Sequence, residues 1–212
     1  MISTSILSIK DNLKENIDAL DNTKTDFIHV DIMDGVFVNN NSVSYDVYES
    51  LLNNKVTPLD VHLMVKNVKE YIDDYKNLKP KIITFHYEAI TNHMEIIQYI
   101  KDLGIKVGMA IKPDTGVSEI LDLLPHLDLV LVMSVEPGCG HQEFIYDSVA
   151  KISDLNSLRQ DFDYKYLIEV DGGVNDVTAK LCDKADIIVV GSFITDSDNY
   201  EQRIEKIKKS LD

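Results

Sequence analysis

The hydrophobic period changes repeatedly along the chain. Short runs rich in Val, Ile and Leu predict strands over Ile2–Leu7, Phe27–Met33, Leu59–Val65, Ile82–His86, Val107–Ile111, Leu127–Val135, Tyr166–Val170 and Ile187–Val190. Amphipathic stretches separate them. "SIKDNLKENIDAL" sets Leu13, Ile17 and Leu20 on one helical face, with Ser8 as N-cap candidate and Asp11 three residues on. "NHMEIIQYIKDLG" ends at Gly104, a helix stop, and "NYEQRIEKIKKSLD" places Ile204, Ile207 and Leu211 together. Eight strands, each followed by a helix, imply a parallel sheet. This spacing fits a small (β/α)8 TIM barrel; a doubly wound open sheet is the alternative. With no Pro/Gly/Ser-rich linker, residues 1–212 are expected to form one barrel domain.

Composition narrows the partners. The chain is 44% hydrophobic with net charge −15, which argues against a nucleic-acid backbone or an anionic membrane. No apolar run reaches the roughly 18 residues that span a bilayer. The start, "MISTSILSIK", lacks the pattern of a signal peptide. Cys139 and Cys182 make neither a disulfide framework nor a C-x-x-C, so a reduced, cytoplasmic chain is expected.

In a barrel, active groups sit at the C-terminal strand ends. Strand residues alternate faces. In "FIHVDIM", His29, Asp31 and Met33 share one face, opposite Ile28, Val30 and Ile32. "LDVHLMV" repeats the pattern with Asp60, His62 and Met64, and "YLIEVDGGV" ends its strand on Asp171. A lone H-x-D in a strand is more often a satisfied core pair than a ligand set. Four such groups at matching depth, His29, Asp31, His62 and Asp171, favour a metal site if the barrel forms. This N2O2 set suits one divalent ion, zinc first, with manganese, iron or cobalt also suited. The loops after strands seven and eight, "DGGVND" and "GSFITD", contain no Lys or Arg. A phosphate there would rest on the backbone N–H groups of Gly172, Gly173, Gly191 and Ser192, helped by the helix N-terminus each loop introduces. Alone, each loop reads as an ordinary turn.

The strings "TSILS", "IHVDIMDG", "DVHLMV", "LVLVMSVEPGCGHQ", "IEVDGGV" and "VVGS" together resemble the ribulose-phosphate 3-epimerase family over nearly the whole chain. The resemblance implies a ribulose-phosphate-binding (β/α)8 barrel. It implies an isomerase that interconverts D-ribulose 5-phosphate and D-xylulose 5-phosphate by proton transfer at C3, through an enediolate, in the pentose phosphate pathway. His29, Asp31, His62 and Asp171 match the metal ligands, and Asp31 and Asp171 also match the catalytic acid and base. His62, Asp171 and the loop Gly138, Cys139, Gly140 and His141 match substrate contacts. So does Ser5, which by itself reads equally as a cap or turn residue. Met33, Met64 and Met133 match methionines near the reacting carbon; by pattern they are core. A homo-oligomer is implied by the resemblance only.

Some positions depart from the family pattern. Val36 and Asn39 stand where His and Pro are common, Cys139 and His141 where Phe and Gly are usual, and "STS" replaces "APS". Alternatives therefore stay open. One is a 3-epimerase of a related ketose phosphate such as allulose 6-phosphate. Another is a non-catalytic sugar-phosphate-binding barrel, although it needs no matched pair of carboxylates. A third is a lyase using Lys112 as a Schiff base. The D-x-K-x-x-D of barrel decarboxylases is absent, since "DVHLMV" has His62 for Lys and Val65 for the second Asp. Asp34 and Asp60 are expected to support neighbours and His86 to stand behind a ligand. His93, His126 and Cys182 are expected to be ordinary helix or surface residues.

Overall fold

The computed structural model describes residues 1–211. Eight parallel strands close into a barrel in chain order. They are β1 (Ile2–Ser5), β2 (Phe27–Met33), β3 (Leu59–Met64), β4 (Ile82–His86), β5 (Lys106–Ile111), β6 (Leu129–Met133), β7 (Leu167–Asp171) and β8 (Ile187–Val190). The helices are α1 (Leu13–Asp21), α2 (Tyr45–Leu52), α3 (Val68–Tyr75), α4 (His93–Asp102), α5 (Ser148–Asp161), α6 (Ser192–Thr195) and α7 (Tyr200–Leu211). The open-sheet alternative is excluded, because β1 pairs with β8.

Two expectations fail. Not every strand is followed by an α-helix: between β5 and β6 lie only the 3-10 turns Val117–Ile120 and Leu124–His126, and between β7 and β8 only Thr178–Cys182. Gly116 and Pro125 punctuate the first crossover, and a proline ring clashes with the preceding helical turn. In the second, Asn175 Oδ1 accepts the N–H groups of Val177 and Thr178, so a turn uses up its start. Ser8 is not a helix cap either. Helix α1 begins at Leu13, after Asn12 in a left-handed conformation, and Asn16 Nδ2 secures that start on the carbonyls of Asp11 and Asn12.

Alternation sorts the strand residues as their chemistry requires. The outward set, including Ile28, Val30, Ile32, Val61 and Leu63, packs on Ile17, Leu20, Ile72, Ile100, Leu155 and Ile204 from the helices. Each such aliphatic contributes about 1.5–3 kcal/mol on burial. The inward set is mixed. Ile82, Ala110, Leu129, Leu131, Met133 and Ile187 form an apolar part of the lumen. Ser3, His29, Asp60, Thr84 and Glu169 are fully buried polar residues.

Gly108 on β5 makes room for this polar layer, since a Cβ there would lie 2.2 Å from Thr84 Oγ1. Gly108→Ala should therefore lower unfolding free energy by about 1–3 kcal/mol, the usual range for overpacking. Adding Thr84→Ala should recover part of the loss, because the two sites share the contact. Denaturant midpoints of the two proteins check this; an unchanged midpoint for Gly108→Ala would contradict the packing described.

Candidate active site

Strands β2, β3 and β7 bring His29, Asp31, His62 and Asp171 together, with Asp171 at the last residue of its strand. In the β2–β3 register Asp31 lies opposite His62 and His29 opposite Asp60, so adjacent strands present these groups in tiers. One ligand atom from each of the four predicted residues lies within 4.8 Å of the others. His29 Nε2 is 3.4 Å from Asp31 Oδ1 and 3.8 Å from Asp171 Oδ2. His62 Nδ1 is 3.2 Å from Asp31 Oδ1 and 3.8 Å from Asp171 Oδ2.

Deeper groups orient this cluster. Asp60 Oδ2 accepts Ser3 Oγ–H at 2.8 Å and lies 2.7 Å from His29 Nδ1. A carboxylate accepts, so His29 carries a proton on Nδ1 and turns Nε2 toward the mouth. That Nε2 is buried and makes no hydrogen bond. Ser5 Oγ donates to Asp31 Oδ2 at 2.8 Å, which gives the predicted serine a defined partner. Behind His62, its Nε2 lies 2.9 Å from His86 Nε2, and His86 Nδ1 lies 3.2 Å from Glu88 Oε2. Asp34 accepts backbone N–H groups of Val36, Phe37 and Lys66, as expected of a supporting residue.

The electrostatics follow from burial among charges. Burial opposes charge on Asp31, but His29 and His62 beside it hold its carboxyl well below the usual range. Burial likewise opposes charge on His29, yet Asp60 and Asp31 raise it well above the usual imidazole value. Asp171 is pushed up to about 6 by burial and by the neighbouring Asp31 carboxylate. Glu169 is pushed well up by burial and by Asp60. Burial brings His86 down to about 4, against the opposing pull of Glu88. Two imidazoles, two carboxylates and an unsatisfied Nε2 facing the carboxylates suit a divalent cation, which satisfies all of them at once.

The cluster opens into a cavity of about 380 Å³. Asp31 and Asp171 line it, with Ser5, Met64 and Met133. Gly138, Cys139, Gly140, His141, Gly172, Gly173, Gly191 and Ser192, all expected at the substrate, line it too. The third methionine, Met33, packs instead with Met64 and Val38. Gly173 has φ 64°, and a Cβ there would lie 2.5 Å from Phe144 N, so only glycine lets the loops after β6 and β7 meet this closely. The N–H groups of Gly173, Gly191 and Ser192 carry no hydrogen bond to the rest of the described residues. The helix N-termini expected behind these loops are slight: the loop after β7 leads to a 3-10 turn, and α6 has four residues. Any anion here therefore rests on the loop N–H groups themselves.

The departures in the β6 loop have structural roles. His141 has φ 60°, a left-handed conformation that explains why glycine is the usual residue there. Its Nε2 lies 3.0 Å from Asp196 Oδ2, a clasp to the loop after β8. From the other side Asn40 Nδ2 donates to Gly138 O at 2.7 Å and contacts Cys139 Sγ at 3.1 Å. Lys112 does not line the cavity; its Nζ lies 4.2 Å from the centre of the Phe37 ring, which removes support from the Schiff-base alternative. Cys182 is buried, and His93 Nε2 lies 2.8 Å from Tyr87 O, so both are structural. Glu169, Ser3, Glu88 and Asp196 did not emerge from the motifs. Glu169 was within reach, because it sits two residues before Asp171 in "LIEVD" and must share its face.

A closed barrel with this cluster at its mouth places the chain among (β/α)8-barrel enzymes. A model of the ribulose-phosphate 3 epimerase family matches residues 1–195. The chain is 37% identical over 186 residues to ribulose-phosphate 3-epimerase of Mycobacterium bovis, covering 87% of this chain and 81% of that one. It is 36% identical over 215 residues to the Buchnera aphidicola enzyme of the same name, covering 100% and 92%. Among solved structures, 3-hexulose-6-phosphate synthase from Salmonella typhimurium shares the fold, with TM-score 0.64, 19% identity and coverage of 99% and 97%. The chain belongs to the ribulose-phosphate 3-epimerase family. It is thus an isomerase, as the sequence motifs implied. No described helix is long and apolar enough to cross a membrane.

The Glu88 geometry has a measurable consequence. Burial opposes its charge, but His86, Thr115 and the Lys112 N–H hold it down to about 2. A carboxyl depressed on folding contributes stability that is present above its unfolded value, about 4.3, and lost as pH falls through the folded value. Glu88→Gln should therefore be less stable than wild type near neutrality, by at most about 3 kcal/mol. The gap should close between about pH 4.5 and pH 2. Urea unfolding across that range checks it; a gap that persists unchanged to pH 2 would contradict the assignment.

Proposed function

We propose that the protein interconverts D-ribulose 5-phosphate and D-xylulose 5-phosphate by two-base proton transfer at C3. The observation that carries this reading is the meeting of His29, Asp31, His62 and Asp171 beside a cavity that Asp31 and Asp171 line together with three glycine-bearing loops. Inverting a carbon beside a carbonyl requires a proton to leave one face and another to arrive on the opposite face. One carboxylate cannot serve both faces. Asp31 on β2 and Asp171 on β7 approach the cavity from different strands. One takes the C3 proton; the other, in its acid form, delivers a proton to the far face. In the reverse direction they exchange roles.

Ser5 Oγ, bonded to Asp31 Oδ2, limits the rotation of that carboxylate. His29, Asp31, His62 and Asp171 would hold one divalent ion, zinc first by donor type. Bound there, such an ion supplies Lewis acidity toward the substrate oxygens. The phosphate is read by backbone N–H groups of Gly173, Gly191 and Ser192, with Gly138–His141 closing the side. No Lys or Arg is among the described lining residues. The pocket thus holds an anion within a chain of net charge −15 through fixed dipoles rather than cations.

The test is incubation of the metal-analysed protein with ribulose 5-phosphate in deuterated water. Deuterium should enter at C3 as xylulose 5-phosphate forms, and chelation should abolish both. Asp171→Asn should lower inversion by about 10²- to 10⁴-fold, the span of a lost general acid–base group. Neither exchange nor epimer from a metal-loaded protein would end this reading. A higher kcat/KM on allulose 6-phosphate would keep the chemistry and change the substrate.

A further inference from the structure

His62 presents its two ring nitrogens to different neighbours. Nδ1 faces the cluster, 3.2 Å from Asp31 Oδ1. Nε2 faces away, 2.9 Å from His86 Nε2. Two ring nitrogens in that contact share one proton, and the ring that holds it fixes the tautomer of the other. The choice is made further out. His86 Nδ1 lies 3.2 Å from Glu88 Oε2. The other oxygen of Glu88 accepts the Lys112 backbone N–H at 2.8 Å and the Thr115 hydroxyl. The backbone donor cannot be reversed, and it anchors Glu88 as an acceptor.

The chain of bonds then has one direction. His86 carries its proton on Nδ1 and donates it to Glu88. Its Nε2 keeps a lone pair and accepts from His62 Nε2–H. The opposite arrangement would set a lone pair of His86 against the Glu88 carboxylate. The ring of Phe37, centred 4.8 Å from that of His86, roofs the relay, and His86 is fully buried.

We infer that Glu88, acting through His86, is a positioning residue that holds the proton of His62 on Nε2 and reserves Nδ1 for the bound ion. The inference rests on the reading of His62 as a ligand. It also pairs the two imidazoles: Asp60 orients His29 in one step, and Glu88 orients His62 in two. Second-tier partners of this kind change metal affinity by about 10- to 100-fold.

The experiment begins with long-range proton–nitrogen correlation spectra of the full chain labelled at histidine. His86 should show the neutral Nδ1–H form. His62 should keep a proton on Nε2 both before and after zinc is added. A His62 proton on Nδ1, donated to Asp31, with Nε2 accepting from His86, would overturn the relay. Cobalt then serves as the probe for variants, read by equilibrium titration and by its visible absorption. His86→Leu, which removes the acceptor but fills the space, should bind cobalt about 10- to 100-fold more weakly. His86→Gln, which returns an amide oxygen near the Nε2 position, should recover most of that loss. Equal affinity and spectrum for His86→Leu and wild type would leave only a space-filling role and contradict the inference. If His86→Leu does not fold, Glu88→Gln decides: its amide oxygen takes the Lys112 N–H, its NH2 faces His86 Nδ1, and the His86 proton should move to Nε2, whereas an unchanged spectrum would contradict the relay. A wild-type protein that takes up no cobalt would defeat the ligand reading itself, while the tautomer spectra would still report on the relay.

Discussion

Closing eight parallel strands into a barrel turns alternate side chains into a space that water barely reaches. Every polar group placed there must find its partner inside the protein. A buried group left unpaired costs about 1–3 kcal/mol, and breaking one side of a buried charge pair costs about 3–5 kcal/mol. This constraint governs the lumen. Ser3, Asp60 and His29 satisfy one another, as do Ser5 with Asp31 and His62 with His86 and Glu88. In the lumen the groups left without a partner are His29 Nε2, Asp60 Oδ1, Thr84 Oγ1 and both oxygens of Glu169. A polar lumen tolerates such groups where a cation completes them, and His29 Nε2 is the one aimed at the mouth.

The same economy shapes the other end of the cavity. An acidic chain gains little from a distant field when it binds an anion, so the attraction must be local. In the proposed phosphate end, glycine loops are the source of that attraction, because they bring N–H groups close without side chains in the way. The clasp between His141 and Asp196 spans two of these loops, and Asn40 holds the β6 loop from the opposite side. The proposed binding end is thus built from backbone held by side-chain ties, whereas the proposed reacting end is built from side chains held by strands. Rigid strand ends are suited to holding carboxylates at fixed separation, which is what a proton transfer to either face of one carbon demands.

Much of this was legible along the chain. The period-2 alternation in "FIHVDIM" and "LDVHLMV" put His29, Asp31, Asp60 and His62 on one face, and the barrel does bring them together. The bounds of β2, β4 and β8 agree with the hydrophobic runs to the residue. Where the reading failed, competing local chemistry decided. Pro125 and the Asn175 turn replaced expected helices, and Asn12 displaced the start of α1 past Ser8. Partners far apart in the chain, such as His141 with Asp196 or Glu88 with Lys112, depend on loop geometry that no periodicity encodes. Glu169 lay within the alternation but has no motif to mark it, and its importance shows only once Asp60 and His29 stand beside it.

Four side chains from three strands, His29, Asp31, His62 and Asp171, are proposed to form one cation site at the mouth of the barrel. Crystals of the purified, active protein, measured at the absorption edge of whichever divalent metal elemental analysis finds, test it most directly. A single anomalous peak should lie within bonding distance of His29 Nε2, His62 Nδ1 and the carboxylates of Asp31 and Asp171. A peak bound elsewhere with those four residues paired only to one another would contradict it, as would full epimerase activity in protein that contains no divalent ion.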